Sequence, residues 1–106
     1  MKLPTRAETF IVIYDIFSDQ RDRWLSSSVK RRGKIARILL EIGVRTQKSV
    51  YEIKSSPLKV EKALKRIEKI AHLDKDKIYV YPIESKVAER ILRIGKEPLS
   101  SKLFFI

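Results

Sequence analysis

Apolar positions occur along this chain of 106 residues either in short continuous runs or at helical spacing. The run "FIVIYDI" at residues 10–16 is continuous and rich in β-branched and aromatic side chains, which predicts a central strand covered on at least one face. The run "IYVYPI" at residues 78–83 predicts another strand. Residues 44–54 are predicted to be extended, as one bent strand or as two short ones.

Two segments have the spacing of amphipathic helices. The first carries an apolar stripe at i, i+3, i+4 and i+7, formed by Ile35, Ile38, Leu39 and Ile42. This helix begins either after Ser28 as its N-cap or nearer Lys34, and Gly43 is expected to end it. The second helix is expected to have Ser56 as its N-cap and Pro57 as its first residue.

The order β-α-β(β)-α-β predicts a ferredoxin-like α+β sandwich, with an antiparallel sheet and two helices on one face. Residues 85–94 predict a short helix, or else one helical turn followed by a strand at residues 90–95. The terminal "LFFI" is expected to dock on the body or on a second copy, because it is too apolar to remain in water. We therefore expect one domain at residues 1–96 and an apolar C-terminal tail at residues 97–106.

Charge narrows the choice of partner. The chain has 24 Lys and Arg against 13 Asp and Glu, a formal net charge of +11. Residues 21–48 contain nine Lys and Arg, and Asp22 and Glu41 are their acidic residues. Such a region favours a polyphosphate partner, because each neutralised phosphate releases condensed counterions. A merely solvated surface is the alternative, and a membrane surface is disfavoured because the basic patch has few apolar partners of its own.

Several classes of chemistry are excluded. The chain has no cysteine and one histidine, His72, which argues against disulfides, zinc sites and Ser-His or Cys-His catalysis. No apolar run approaches the ~20 residues that span a bilayer, and no signal peptide follows the start. We expect a protein of the reducing cytoplasm that does not bind membranes.

Asp15 is an acid at the end of an otherwise apolar strand, and Ser18, Asp19 and Asp22 follow it. An Asp in this position often accepts backbone N–H groups of the next turn. Alternatively, the strand aims a rigid carboxylate, and such hard oxygen donors favour Mg²⁺ or Mn²⁺. One carboxylate holds a metal poorly, and a symmetric dimer would supply a second Asp15.

Three blocks occur in order: "FIVIYDI" followed by "SD", a basic helix ending in "LLEIGVRTQKSVYEIK", and "IYVYPI". Over about residues 10–95 they resemble the CRISPR-associated small adaptation proteins, a family of endoribonucleases that are partners of the CRISPR integrase in spacer acquisition. The resemblance implies a ferredoxin-like homodimer whose C-terminal strands pair with the partner's sheet. It also implies Mg²⁺ dependence and cleavage of RNA, or of duplex DNA in some members.

The resemblance also assigns residues. Asp15 matches the metal-binding acid, Tyr14 lies beside it, and Arg45, Ser49 and Tyr51 match the block that lines a nucleic-acid or catalytic cleft. The candidate nucleic-acid-binding residues are Arg21, Arg23, Arg31, Arg32, Lys34, Arg37 and Lys48. Residues 20–29 depart from the family as a loop insertion. The basic residues that follow the family's loop are therefore either Arg21 and Arg23 or Arg31 and Arg32.

Two functions remain open at this point. One is a metal-dependent phosphodiesterase, and the other is a non-catalytic, DNA-binding architectural subunit of the integrase complex. Among the remaining polar and aromatic residues, Glu52 is expected to pair with a lysine across the sheet, and the alternative is a further acid that binds the metal or positions water. Tyr79 and Tyr81 are expected to pack on the sheet rather than to stack on bases.

Overall fold

The computed structural model describes residues 3–16 and 26–95 of the chain. Its elements in order are β1 (Thr9–Asp15), α1 (Ser26–Ile42), β2 (Gly43–Gln47), β3 (Val50–Lys54), α2 (Pro57–Ile70), β4 (Lys77–Ile83) and α3 (Ser85–Ala88). Residues 26–29 of the predicted insertion thus belong to α1. The rest of that insertion, with Arg21 and Arg23, lies outside the described residues, as does the tail at residues 97–106.

The strands of the described chain form one antiparallel sheet in the order β2-β3-β1-β4. The central strand β1 pairs with β3 on one side, where Ile11 lies opposite Glu52. It pairs with β4 on its other side, where Ile11 lies opposite Tyr81. This order, with α1 and α2 as connections, confirms the predicted ferredoxin-like α+β class.

The sheet has one buried face and one open face. Along β1, Phe10, Val12 and Tyr14 are buried, whereas Ile11 is only partly buried and Asp15 is exposed, as expected when successive side chains point to opposite faces. The buried residues form one core with those of the two helices, which are Ile35, Ile38, Leu39, Val60, Ala63, Leu64 and Ile67. We call α1 and α2 the helix layer, and the sheet face bearing Asp15 the open face.

The ends of α1 differ from the prediction. The helix begins at Ser26, and Ser28 is buried in its first turn rather than outside it as a cap. Gly43 is the first residue of β2 rather than a free residue after the helix. A Cβ atom there would lie 2.6 Å from Cγ1 of Ile53 and 2.7 Å from the backbone oxygen of Glu52. Glycine is therefore needed for the close approach of β2 to β3.

The other predicted boundaries agree well with the structure. The extended segment is two strands, β2 and β3, joined by a tight turn at Lys48 and Ser49. The N-cap of α2 is confirmed, because the Ser56 hydroxyl accepts a hydrogen bond from the Lys59 backbone nitrogen at 3.4 Å. Pro57 is the first residue of that helix, where its missing N–H costs nothing.

The segment after β4 is less regular than predicted. The helical turn is present as α3, but residues 91–95 form no strand in the described chain. These residues lie over the open face, where they line a cavity of about 270 Å³ together with Ile11, Val50 and Glu52. In residues 3–16 and 26–95, each helix is too short or too polar to span a bilayer.

Candidate metal site and nucleic-acid interface

Asp15 is the last residue of β1, and its side chain is exposed. It lies on the open face, and its neighbour across the sheet is Lys77 of β4. Within the described residues, no group of three or more His, Cys, Asp or Glu residues lies together in a way that could hold a metal ion. Ser18, Asp19 and Asp22 lie outside that part of the chain. In the described chain Asp15 is therefore an accessible carboxylate that belongs to no such cluster.

Tyr14 and Tyr51 form a stacked pair at the same end of the sheet. Their ring centroids are 5.9 Å apart, with an angle of 23° between the planes. The backbone nitrogen of Tyr14 donates to the Ser49 carbonyl at 3.1 Å, which places the β2–β3 turn beside the end of β1. Because neighbouring strand residues point to opposite faces, the tyrosines lie on the helix side and Asp15 on the open side.

Arg45 fixes the β2–β3 turn. Its guanidinium donates to the Lys48 carbonyl from Nε at 3.1 Å and from Nη2 at 2.7 Å. The structure therefore brings Tyr14, Arg45, Ser49 and Tyr51 together at one end of the sheet. It places Asp15 next to this group along the strand but on the opposite face of the sheet.

The hydroxyl group of Tyr51 is buried and has no hydrogen-bond partner among the described residues. Burial raises the pKa of Tyr51 to about 12, the neighbouring Tyr14 acts in the same direction, and the positive charge of Arg45 opposes them. At neutral pH this hydroxyl group is therefore un-ionised. In the described chain the neutral Tyr51 ring stacks on Tyr14.

Two of the predicted nucleic-acid-binding arginines are engaged within the fold. Arg31 donates from Nε to Asp76 Oδ2 at 2.8 Å and from Nη2 to Oδ1 at 3.2 Å. The Asp76 side chain is 0% exposed and also accepts the backbone N–H of His72. Arg32 donates from Nη2 to the Ile16 carbonyl at 3.3 Å. These contacts join the start of α1 to the α2–β4 loop and to the end of β1.

Other predicted cations are available to a ligand. Lys34 and Arg37 are exposed on α1, and Lys48 is exposed in the β2–β3 turn. A further group of exposed cations, on α2, is missed by the sequence analysis: Lys59, Lys62, Lys65, Arg66 and Lys69. Their recurrence on the polar side of a strongly amphipathic segment is the signal that could have identified them.

Glu52 has a different partner from the one predicted. It accepts two hydrogen bonds from Arg93, a residue of the segment after α3, and not from a lysine of the sheet. Tyr79 and Tyr81 are 55% and 50% exposed on the open face, with ring centroids 6.5 Å apart. They therefore lie on the sheet, as expected, but outside the core.

Comparison with known proteins places this geometry in a family. A protein of Synechocystis named CRISPR-associated endoribonuclease Cas2 3 is 30% identical over 91 residues, which cover 86% of this chain and 88% of that protein. A hypothetical protein from Thermus thermophilus has a similar structure, with a TM-score of 0.67, 27% identity, and coverage of 88% of this chain and 96% of that chain. Cas2 of Streptococcus pyogenes has a TM-score of 0.68 at 23% identity, covering 82% of this chain and 99% of that chain, which supports the fold alone.

The family profile described as CRISPR associated protein Cas2 matches residues 8–91. That range includes the whole sheet, the helix layer and α3, together with Asp15 and the β2–β3 turn. The chain therefore belongs to the family of CRISPR associated protein Cas2.

Proposed function

We propose that this CRISPR-associated protein is a metal-dependent phosphodiesterase of the endoribonuclease type, which acts on nucleic acid as a homodimer. The observation that carries the proposal is the exposed carboxylate of Asp15, held by a central strand at the border of the open face. Membership of the family and the name of the Synechocystis relative, an endoribonuclease, support it.

The donor chemistry of the site fits a hard divalent cation. Carboxylate oxygen is the ligand that Mg²⁺ and Mn²⁺ prefer, and the chain has no cysteine to favour a softer metal. One Asp15 is too few ligands, and a second Asp15 across a twofold axis would complete the pair. A divalent cation held there would promote deprotonation of the attacking water and offset negative charge on the phosphate.

Homodimer formation through the open face is supported by the apolar surface that this face leaves exposed. Tyr79 and Tyr81 are about half exposed, and Leu92 and Ile94 are almost fully exposed in the segment that crosses the face. Large apolar side chains that are exposed on one face often mark an interface. Because Asp15 borders this face, a second copy packed on it would bring the two carboxylates towards each other.

The residues around Asp15 have separate roles in the proposal. Lys77, directly across the sheet, attracts a phosphate group towards the carboxylate. Arg45 holds the β2–β3 turn through the Lys48 carbonyl and so fixes the turn that lies beside the end of β1. The Tyr14–Tyr51 stack supports the end of β1 from the helix side and so fixes the direction of Asp15.

Substitution of Asp15 by Asn tests the proposal. Purified wild-type and Asp15→Asn proteins are titrated with Mg²⁺ against labelled RNA and labelled duplex DNA. We expect cleavage to fall at least about 100-fold, as for loss of a principal catalytic group, while nucleic-acid affinity stays within about twofold. Asp74→Asn is the matched control, because Asp74 is an exposed acid in the α2–β4 loop. Cleavage that persists in both Asp15→Asn and Asp74→Asn would refute the catalytic role.

A second candidate function is an architectural subunit that holds DNA for the CRISPR integrase without cutting it. The observation that favours it is that exposed cations outnumber the candidate catalytic acids. The chain as a whole has a formal net charge of +11. Spacer capture in the presence of the integrase distinguishes the two. Full capture by Asp15→Asn supports the architectural function, whereas loss of capture together with cleavage supports the enzyme.

A further inference from the structure

We infer that α2 carries a second nucleic-acid-binding surface, which holds a duplex by its phosphate backbone on the side of the sheet opposite Asp15. The inference rests on nucleic acid being the partner, as the proposed function assumes, but not on catalysis by Asp15. We call its residues the α2 cation row, which consists of Lys59, Lys62, Lys65, Arg66 and Lys69.

The positions of the cations place them along one side of the helix. Lys59, Lys62, Arg66 and Lys69 recur at i, i+3, i+7 and i+10, and Lys65 lies beside them. At 1.5 Å per residue the row is about 15 Å long. One strand of a duplex carries a phosphate every ~3.4 Å along its axis, so the row faces about four phosphates.

The opposite side of α2 is fixed by the core. Val60, Ala63, Leu64 and Ile67 are buried against the sheet and α1, and the members of the row are exposed. Because of this amphipathic pattern, the cations of the row are exposed to solvent. The row belongs to the folded scaffold and needs no rearrangement to meet a ligand.

Few acids offset the row. Among the ion pairs of the described residues, the one that involves the row joins Arg66 to Glu41 of α1 at 2.7 Å, with both side chains more than half exposed. This hydrogen bond lowers the pKa of Glu41 and raises that of Arg66. Of the acids on α2, Glu61 accepts a hydrogen bond from the Leu3 backbone nitrogen, and Glu68 is exposed. The five cations of the row outnumber Glu41, Glu61 and Glu68, so the surface keeps a net positive charge.

The neighbouring helix adds a parallel set of cations. Lys30, Lys34 and Arg37 are exposed on α1 at i, i+4 and i+7, and α1 packs beside α2. Packed helices lie about 8–10 Å apart. The two sets of cations therefore lie on neighbouring helices of the same layer.

The composition of the helix layer favours a duplex over a single strand. Neither α1 nor α2 contains an aromatic residue, and stacking on aromatic rings is the usual means of holding unpaired bases. The exposed pair Tyr79 and Tyr81 lies on the open face instead. A surface of cations without stacking groups binds the backbone and does not distinguish sequences.

An anionic membrane is the weaker candidate for the same charges. A helix that lies on a bilayer buries its apolar side among the lipids, whereas the apolar side of α2 is already used by the core. The charges of the row alone would give only weak, salt-sensitive attraction to a bilayer. A duplex, by contrast, needs no apolar contact.

The test compares three variants in fluorescence-anisotropy titrations with a labelled random-sequence DNA duplex of about 30 base pairs. The variants are K62Q/K65Q/K69Q, the charge-conserving K62R/K65R/K69R, and D15N. We expect the Gln variant to bind at least about tenfold more weakly, and the slope of log K against log salt to decrease in magnitude by about 2–3. The Arg variant should bind like the wild type, and D15N is included for its cleavage activity.

The outcomes separate this inference from the proposed function. Unchanged affinity and salt slope in the Gln variant, with its circular dichroism spectrum intact, would overturn the second surface. Cleavage by D15N would overturn the catalytic role alone. Vesicles of phosphatidylserine and phosphatidylcholine form a further arm, and row-dependent binding to them together with row-independent binding to the duplex would assign the row to lipid.

Discussion

The guanidinium of Arg93 donates two hydrogen bonds to the carboxylate of Glu52, from Nη1 at 2.6 Å and from Nη2 at 2.5 Å. Glu52 belongs to β3 and is 5% exposed on the open face, whereas Arg93 follows α3. This pair therefore attaches the segment after α3 to the sheet. It also satisfies a carboxylate that would otherwise be buried without a charged partner.

Arg93→Gln should lower the free energy of unfolding by about 1–3 kcal/mol, because Glu52 then loses its charged partner. Chemical denaturation followed by circular dichroism measures the change. Arg90→Gln is the control, since Arg90 is an exposed residue of the same segment. The double variant Glu52→Gln with Arg93→Gln should recover part of the loss. Equal stability of the Arg93 and Arg90 variants would contradict the role of the pair.

Arg31 and Lys34 should separate stability from binding within one helix. Arg31→Gln removes the bidentate contact to the buried Asp76 and should cost about 1–3 kcal/mol of stability. Lys34→Gln changes an exposed residue and should leave stability within about 0.5 kcal/mol. Its expected effect is on duplex affinity, with the magnitude of the salt slope smaller by about one. The reverse assignment of the two effects would show that Arg31 is a ligand contact.

Tyr51→Phe should be neutral or stabilising by up to about 1 kcal/mol at pH 7, because it removes a buried hydroxyl group that has no partner among the described residues. The pKa of Tyr51 is raised from 10.0 to about 12, so folding disfavours its ionised form. The wild type should thus lose stability as the pH rises from about 10 through about 12, and the variant should lose less. Denaturation at several alkaline pH values measures this difference. Tyr79→Phe, at a half-exposed tyrosine, should not reproduce it.

Two glycine substitutions should have opposite signs. Gly33 lies inside α1, and a Cβ atom there meets nothing within 4 Å, so Gly33→Ala should stabilise the protein by about 0.5–1 kcal/mol. Gly43→Ala would place its Cβ 2.7 Å from the Glu52 backbone oxygen and should destabilise by about 1–3 kcal/mol. Thermal unfolding of both variants provides the measurement. Similar shifts of both in one direction would contradict the packing at Gly43.

Local patterns were sufficient to predict most of the fold. The continuous run of β1, the 3.6-residue period of α2 and its Ser56–Pro57 start are all properties of neighbouring residues, and the structure confirms each. The start of α1 was harder to predict, because polar residues precede its apolar stripe and give no sharp boundary. A strand after α3, one of the two alternatives for this segment, depends on a partner strand, and residues 91–95 have none among the described residues.

Contacts between distant residues limit what can be predicted of the site. The pairs Arg31–Asp76 and Glu52–Arg93 join residues 45 and 41 positions apart, and no local spacing indicates them. For this reason Arg31 was expected to bind nucleic acid and Glu52 to pair with a lysine. The contact between Tyr14 and Tyr51 could have been predicted from the sequence, because both residues belong to the blocks that carry the family resemblance. Metal binding and dimer formation stay predictions.

Subunit mixing tests most directly whether two chains share one catalytic centre. Wild-type and Asp15→Asn proteins are denatured together, refolded at a range of ratios, and assayed for Mg²⁺-dependent cleavage of labelled RNA and duplex DNA. If each centre needs both Asp15 carboxylates, activity will fall as the square of the wild-type fraction. Activity that falls in simple proportion to that fraction would show that one chain is sufficient and would contradict the shared site.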